Sequence, residues 1–246
     1  MSVWVDINQY SESTSSVSVW SNKMRYIVFI TCLALVAACK PQVSADIYAG
    51  DILEVAETGK SLEFPVRMGL PIQDEKNCDE NKNKMLPALR KYGKGVKFVS
   101  CKDVQGQMYD LLVVEMIGEI VKAPKSGIAT VEGMFGMSVT QLDDGSLIVY
   151  FLKTDNVDKA VSEIDKNYQF QNIEIEDIAL TLRLNNDLRK TMKFEIDGSF
   201  VDNNPVDAPT IFELPRRGVR EIVPSNVRSQ SIIKTGKARF GRLMAN

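Results

Sequence analysis

A short apolar run near the beginning of the chain determines which part of the chain we expect to fold. Lys23 and Arg25 frame its start, the run extends over residues 26–36, and two small alanines follow it. This order of charged, apolar and small residues is typical of an export signal. With the two alanines the apolar stretch is about 13 residues long, whereas a membrane-spanning helix needs roughly 20. We therefore expect residues 24–38 to be removed as a signal peptide and the folded domain to follow them.

The residues at the end of the run are more specific than its length. Leu35-Val36-Ala37-Ala38-Cys39 resembles the lipobox of bacterial lipoproteins. The resemblance implies that the chain is cut before Cys39 and that the Cys39 thiol carries acyl chains such as palmitate, several of which anchor a protein durably where one does not. Lys40 stands where an Asp usually means retention at the inner membrane, so the resemblance implies a periplasm-facing protein of the outer membrane. The alternative is an ordinary signal peptide or a buried helix that ends in Cys by chance.

Residues 1–23 do not fit an export signal, which normally begins near its charged end. They are polar and rich in serine. The simplest interpretation is that Met24 is the true start and that residues 1–23 come from an upstream start codon. We therefore leave residues 1–23 out of the fold prediction.

The cysteines agree with an oxidising compartment. Of the four in the chain, Cys32 leaves with the signal and Cys39 is taken by lipid, so that Cys78 and Cys101 remain. An even pair in such a compartment predicts a structural disulfide. The alternatives are two free thiols or a redox pair, although a redox pair is usually spaced Cys-x-x-Cys.

Charge is distributed unevenly along the chain. The formal net charge is only −2, which gives no reason to expect a nucleic-acid partner. Residues 39–214 nevertheless carry −9, whereas residues 215–246 carry +7. We interpret residues 215–246 as a basic C-terminal tail that contacts an anionic partner, lipid head groups or its own acidic domain. Its basic residues are Arg216, Arg217, Arg220, Arg228, Lys234, Lys237, Arg239 and Arg242.

Apolar periodicity predicts an α+β domain over residues 58–214, after a lipidated N-terminus and tether over residues 39–57. Residues 74–92 and 156–168 show helical spacing, and Asp143-Asp144-Gly145 between two apolar runs is a hairpin signal. Each half, divided near residue 124, follows a strand–helix–strand–strand plan. We therefore expect mostly antiparallel sheet or sheets with two short helices, in one domain or two.

The absence of histidine limits the chemistry. The chain has none, which removes the usual general base near neutral pH, the Ser-His-Asp arrangement and His-based zinc sites. Glu174 and Glu176 would face the same side of a strand and form the best candidate acid pair, but a solvated strand face is the simpler interpretation. We therefore predict no catalytic residue, no metal site and no cofactor.

These features favour a non-enzymatic envelope lipoprotein that binds a protein partner while it is held to the membrane. The overall plan is similar to small lipoproteins of bacterial and prophage genomes, some of which block receptors against further infection. One alternative is a carrier of lipid or another hydrophobic ligand, which needs a large apolar cavity. Another is a carboxylate-based cell-wall hydrolase. The oligomeric state stays open.

Overall fold

Strands make up most of the folded chain. The computed structural model describes residues 40–73, 75–104, 109–124, 129–167 and 178–245. Thirteen strands lie among these residues: β1 Gln42–Tyr48, β2 Leu62–Ile72, β3 Lys94–Lys102, β4 Asp110–Lys122, β5 Phe135–Gln141, β6 Leu147–Lys153, β7 Ala179–Asn185, β8 Met192–Ile196, β9 Ser199–Val201, β10 Asn204–Val206, β11 Thr210–Leu214, β12 Val219–Pro224 and β13 Lys237–Leu243. The described α-helices are α1 Ala49–Thr58, α2 Cys78–Tyr92, α3 Asp155–Asn167 and α4 Asn226–Thr235, and a short 3-10 helix, Glu75–Asn77, precedes α2.

The strands form one mixed sheet. Its order is β10-β9-β12-β7-β1-β2-β4-β5-β6-β13-β8-β11, and β3 pairs with β4 as a side branch. Neighbouring strands are antiparallel except for β1 with β7 and β4 with β5, which are parallel. The predicted hairpin at Asp143-Asp144-Gly145 connects β5 to β6, and Gly145 has the positive φ (+79°) that the turn requires.

One long hairpin joins the two ends of the sheet order. Its first arm is β8 and β9, its second arm is β10 and β11, and Asp202 and Asn203 form a two-residue turn in which both have positive φ, as in type I′ hairpins. The first arm bends at Gly198, where φ is +51°. As a result β8 pairs with β13 while β9 pairs with β12. The sheet is thereby nearly closed on itself.

Arg228 of α4 lies at this bend, where the ladder of the hairpin is interrupted. Its guanidinium donates hydrogen bonds to the Asp197 carboxylate and to the Arg239 carbonyl oxygen in β13. Burial and the neighbouring Arg239 guanidinium lower the pKa of Arg228. Charge-assisted bonds to both partners connect the helix, the hairpin and β13 at the point of closure.

One face of the sheet carries the hydrophobic core. Ile52 and Val55 of α1 are fully buried against it. A residue distant in sequence stabilises the first turn of α1, because the Asp187 carboxylate accepts a hydrogen bond from the Gly50 N–H at 2.8 Å. Helix α2 packs against α3 and β3, and α4 packs against β13. None of the described helices is long and apolar enough to span a membrane.

The predicted disulfide is confirmed. Cys78, the first residue of α2, is bonded to Cys101 of β3, and their Cα atoms are 5.9 Å apart. Among the described strands β3 pairs only with β4, and its register with β4 shifts twice. The disulfide therefore ties a helix to a strand whose ladder is irregular.

The α+β class and the mostly antiparallel pairing are confirmed, but the predicted number of helices is wrong. The protein has a single mixed sheet with two parallel pairings, and the described residues contain four α-helices instead of two. The strand–helix–strand–strand order is present among the described elements, as β2-α2-β3-β4 and as β6-α3-β7-β8. Both runs belong to one sheet, which β8 to β13 complete. The chain does not divide near residue 124, since β4 and β5 pair across that point and residues 39–246 form one unit.

The predicted tether and tail are corrected as well. Residues 42–58 form a central strand and a helix with a buried face. The predicted tail forms β12, α4 and β13. β13 lies between β6 and β8 in the sheet. Its side chains Ala238, Phe240 and Leu243 are buried. Its apolar residues, rather than its charge, determine where this segment lies.

Candidate functional site

The predicted lipidation site lies just outside the described residues, but the chain beside it is described. Cys39 is outside that part of the structure, as are Glu174 and Glu176. Lys40 is exposed, and the carbonyl oxygen of Pro41 accepts a hydrogen bond from the Ala179 N–H at 2.9 Å. The chain is therefore held by the sheet from the second residue after Cys39.

The eight basic residues predicted to contact an anionic partner separate into three groups. Four are neutralised by acidic side chains of the domain, in the pairs Arg220–Asp202, Arg228–Asp197, Arg239–Glu195 and Arg242–Asp144. Lys234 and Lys237 line a polar cleft, and Arg216 and Arg217 lie in the loop between β11 and β12. Half of the predicted set is therefore occupied by the domain itself.

One buried side chain joins the loop of Arg216 and Arg217 to a second basic loop. Asn186, which follows β7, is 1% exposed. Its side chain accepts a hydrogen bond from the Leu188 N–H and donates to the carbonyl oxygens of Lys190 (2.9 Å), Leu214 (2.8 Å) and Pro215 (3.1 Å). Its backbone carbonyl accepts a further bond from the Arg217 N–H. Residues 186–190 and 214–218 are thus connected as one unit beyond the end of β7.

Four basic side chains are exposed on this unit. They are Arg189, Lys190, Arg216 and Arg217. No acidic residue in the described part of the chain forms an ion pair with any of them. The Asp187 carboxylate lies in the same loop but accepts a hydrogen bond from the Gly50 N–H. The four side chains are therefore a local concentration of positive charge.

Exposed apolar side chains lie beside the basic loops. Tyr48, Asn185 and Val219 are aligned across β1, β7 and β12. Tyr48 is 42% exposed and Val219 is 49% exposed. An aromatic residue among arginines is a frequent composition of the energetic centre of protein interfaces. We call this surface the distal patch, which consists of Tyr48, Arg189, Lys190, Arg216, Arg217 and Val219.

The turn that carries the two arginines is strained. The Gly218 N–H donates to the Pro215 carbonyl oxygen at 2.8 Å, and Arg217, in the third position of this turn, has a φ of +61°. Glycine or asparagine usually occupies that position, because a side chain in the left-handed region costs roughly 1–2 kcal/mol. Strain of this kind is concentrated at functional sites. It is an observation independent of charge that singles out the same loop.

The exposed sheet face next to the distal patch has matched charges. Asp46 pairs with Arg183 at 2.7 Å, and Glu115 pairs with Arg67 at 3.4 Å. The bond to Asp46 raises the pKa of Arg183. These residues line a depression of about 370 Å³. Because its charges are paired, this face is explained as the solvated side of the sheet.

A larger depression, of about 690 Å³, lies between α3 and α4. The side chain of Lys153 is 3% exposed there, and its Nζ donates to both carboxylate oxygens of Asp158 at 2.7 Å. Lys159, Lys234 and Lys237 are exposed around it. The buried charge is compensated within the protein, and Asp155 and Asn156 also line the cleft, so the groups it offers to a ligand are of mixed charge.

A cluster of one lysine and three glutamates lies where β3 and β5 diverge along β4. The Nζ of Lys94 is 2.6 Å from Glu119, 3.1 Å from Glu63 and 3.2 Å from Glu132. These bonds raise the pKa of Lys94. Burial acts to raise the pKa of Glu119, but bonds from Lys94 and from the Glu132 N–H lower it below its usual value. We assign this cluster to structure, because Lys94 bonds to all three carboxylates and Glu119 also accepts a hydrogen bond from the Glu132 N–H.

The distal patch contains residues that the sequence analysis missed, namely Tyr48, Arg189, Lys190 and Val219. A signal was available, because Arg189-Lys190 follows Asn-Asn-Asp-Leu and Arg216-Arg217 lies between Pro215 and Gly218. Each basic pair thus adjoins turn-forming residues. What brings the two turns together is Asn186, and its contacts connect residues far apart in sequence.

Comparison with known proteins gives one match. A family model described as a domain of unknown function, DUF7424, matches residues 41–244. The chain belongs to the DUF7424 family. No curated protein and no solved structure matches it significantly. The DUF7424 match covers every described strand and all four described helices, and it begins at Pro41, the first residue that the sheet holds.

Proposed function

We propose that this DUF7424 protein is a lipoprotein of the bacterial envelope, anchored through Cys39, that binds an acidic protein partner at the distal patch without catalysing a reaction. The lipobox-like sequence before Cys39 supports the anchor. The Cys78–Cys101 disulfide is consistent with export to an oxidising compartment. We further propose the outer membrane as its location, because Lys40 and not Asp follows Cys39.

The observation that carries the proposal is the position of the two sites on one strand. Gln42 at the start of β1 lies three residues after Cys39, and Tyr48 at its end belongs to the distal patch. Six residue steps at about 3.3 Å each separate them by roughly 20 Å. An anchor at one end of a central strand would therefore present the patch at the other end, away from the bilayer.

The interior gives little support to a carrier of hydrophobic ligands. The apolar space found beneath α4, lined by Phe135, Phe151 and Ile232 among others, has a volume of about 10 Å³. That is too small for an acyl chain, because ligand pockets generally measure roughly 300–1,000 Å³. The acid pair of the hydrolase alternative, Glu174 and Glu176, lies outside the described residues and adds no support.

Replacing Cys39 with alanine is expected to abolish membrane anchoring. After expression in a lipoprotein-processing bacterium, the intact mass of the unmodified chain should equal residues 39–246 plus acyl chains, whereas Cys39→Ala should keep its signal segment and carry no acyl chain. Cys32→Ala is the matched control, because Cys32 lies within the signal and should be removed with it. A Cys39→Ala chain that is still cut and acylated would contradict the proposed anchor.

Reversing charge at Arg216 and Arg217 is expected to remove partner binding without unfolding the domain. Both side chains are exposed and unpaired among the described residues, and two arginines at the centre of an interface contribute about 2 kcal/mol each, or about a thousandfold in affinity together. A photo-crosslinking residue at position 219 should give a discrete adduct in cells that disappears in Arg216→Glu/Arg217→Glu.

Two controls make the crosslinking test specific. Lys234→Glu/Lys237→Glu changes the net charge by the same amount at the polar cleft and should leave the adduct intact. A photo-crosslinking residue at position 99, where Val99 is 47% exposed outside the distal patch, should give no such adduct. Equal adducts at positions 99 and 219, or an adduct insensitive to the arginine reversal, would show that the distal patch is not the binding surface.

A further inference from the structure

The end of β1 opposite the distal patch adjoins a surface of mixed polar and apolar side chains, with Ser229 and Gln230 among the polar ones. Lys40, Ala179, Val223, Pro224 and Asn226 line one depression there, of about 290 Å³. No Asp or Glu is among the described residues that line it. Together with the adjacent Val227, we call these residues the proximal surface.

Val227 is the most prominent part of the proximal surface. It is 80% exposed, compared with 53% for Ile211, the next most exposed large apolar residue among those described. It is the second residue of α4, a helix whose ten residues include no Asp or Glu. A single exposed valine is common on protein surfaces, so it is the position of Val227, in the first turn of α4 and next to Asn226, that points to membrane contact.

We infer that a lipid bilayer covers the proximal surface, with Val227 inserted among the lipid head groups. The inference rests on the proposed lipidation of Cys39 and adds the orientation of the domain. Consecutive Cα atoms are about 3.8 Å apart, so an acyl group on residue 39 is attached within one residue of Lys40. The Pro41 carbonyl oxygen already accepts a hydrogen bond from the Ala179 N–H. No flexible tether therefore separates the anchor from the proximal surface.

Charge favours the same orientation. Residues 39–246 carry a net charge of −2, so the positions of the acidic side chains decide which surfaces anionic head groups repel over about a Debye length. The described part of the proximal surface has Lys40 as its charged residue and no acid. Of the surfaces adjoining residue 40, it is therefore one that a bilayer tolerates.

A single tryptophan can test this orientation in the lipidated protein. Trp4 and Trp20 are the only tryptophans in the chain, and both precede Cys39, so that the mature protein should have none. Val227→Trp places a probe on the proximal surface, and Val219→Trp is the matched control on the distal patch, where the native side chain is also exposed. Each acylated variant is reconstituted in phosphatidylcholine vesicles with and without bromine on the acyl chains.

Bromine should quench Val227→Trp and spare Val219→Trp. We expect the emission of Val227→Trp to fall by about half or more and to shift to the blue, because interfacial side chains enter about 5–10 Å into the boundary between head groups and acyl chains. Acylated protein in which Val227→Trp is not quenched, or in which both variants are quenched equally, would overturn the orientation and leave the anchor intact. An intact mass without acyl chains would instead overturn the anchor, and the orientation with it.

Discussion

Replacing Cys78 and Cys101 together with alanine is expected to lower the free energy of unfolding by about 3.4 kcal/mol, through the chain entropy restored to the unfolded state. The two cysteines are 23 residues apart in sequence, and they connect α2 to the irregularly paired β3. For a domain of this size the melting temperature should fall by roughly 10 °C. Urea unfolding followed by circular dichroism measures the difference.

The matched control for the disulfide is Ser100→Ala, which changes a neighbouring half-buried residue of β3 and leaves the crosslink in place. Its free energy of unfolding should stay within about 0.5 kcal/mol of the parent chain. Reduced parent protein should unfold at the same urea concentration as the double alanine variant. If the reduced and oxidised parent chains unfold alike, the crosslink does not constrain the unfolded chain as we expect.

Replacing Asn186 with alanine is expected to cost about 3 kcal/mol and to loosen both basic loops. The substitution leaves the buried Leu214 carbonyl and its neighbours without a donor, and each buried polar group left unsatisfied costs about 1–3 kcal/mol. Amide hydrogen exchange should accelerate in residues 186–190 and 214–218, while the core strands keep their relative order of protection. The position 219 adduct should weaken in parallel, since the distal patch depends on these loops.

Asn185→Ala is the control for Asn186. The Asn185 amide donates longer bonds, to the carbonyl oxygens of Arg183 at 3.1 Å and Ile47 at 3.3 Å, and the residue is only half-buried. Its replacement should cost less than about 1 kcal/mol. If both alanine variants lose the same stability and exchange rates in the loops do not change, Asn186 does not hold the distal patch together.

Local signals in the sequence predicted the local parts of the fold. The Asp143-Asp144-Gly145 turn, helix α3 and the Cys78–Cys101 disulfide depend on residues close in the chain or on a count of cysteines, and all three are present. The pairing of β1 with β7 depends on residues distant in sequence. Because strand alternation specifies a face and not a partner, the sequence could not predict this pairing.

The misreading of the basic tail has a specific cause. The density of arginine and lysine favoured the prediction of a basic tail. Gly236, however, ends α4 with a φ of +73°, and alternating apolar residues follow in β13. Those two signals were readable as a helix end and a strand. The candidate site was partly predictable for the same reason, because Arg216 and Arg217 were found by charge while Tyr48 and Val219 needed the sheet register.

The hairpin that closes the sheet dictates when folding can finish. β8 pairs with β13, and β13 follows all other described strands in the chain. The contacts that close the sheet therefore cannot form until β13 is available for pairing. A chain that is exported unfolded would therefore expose unpaired strand edges until β13 pairs. Such edges promote aggregation. Contacts between sequence-distant strands also form slowly. An export chaperone that shields the chain until β13 arrives would fit this order of assembly.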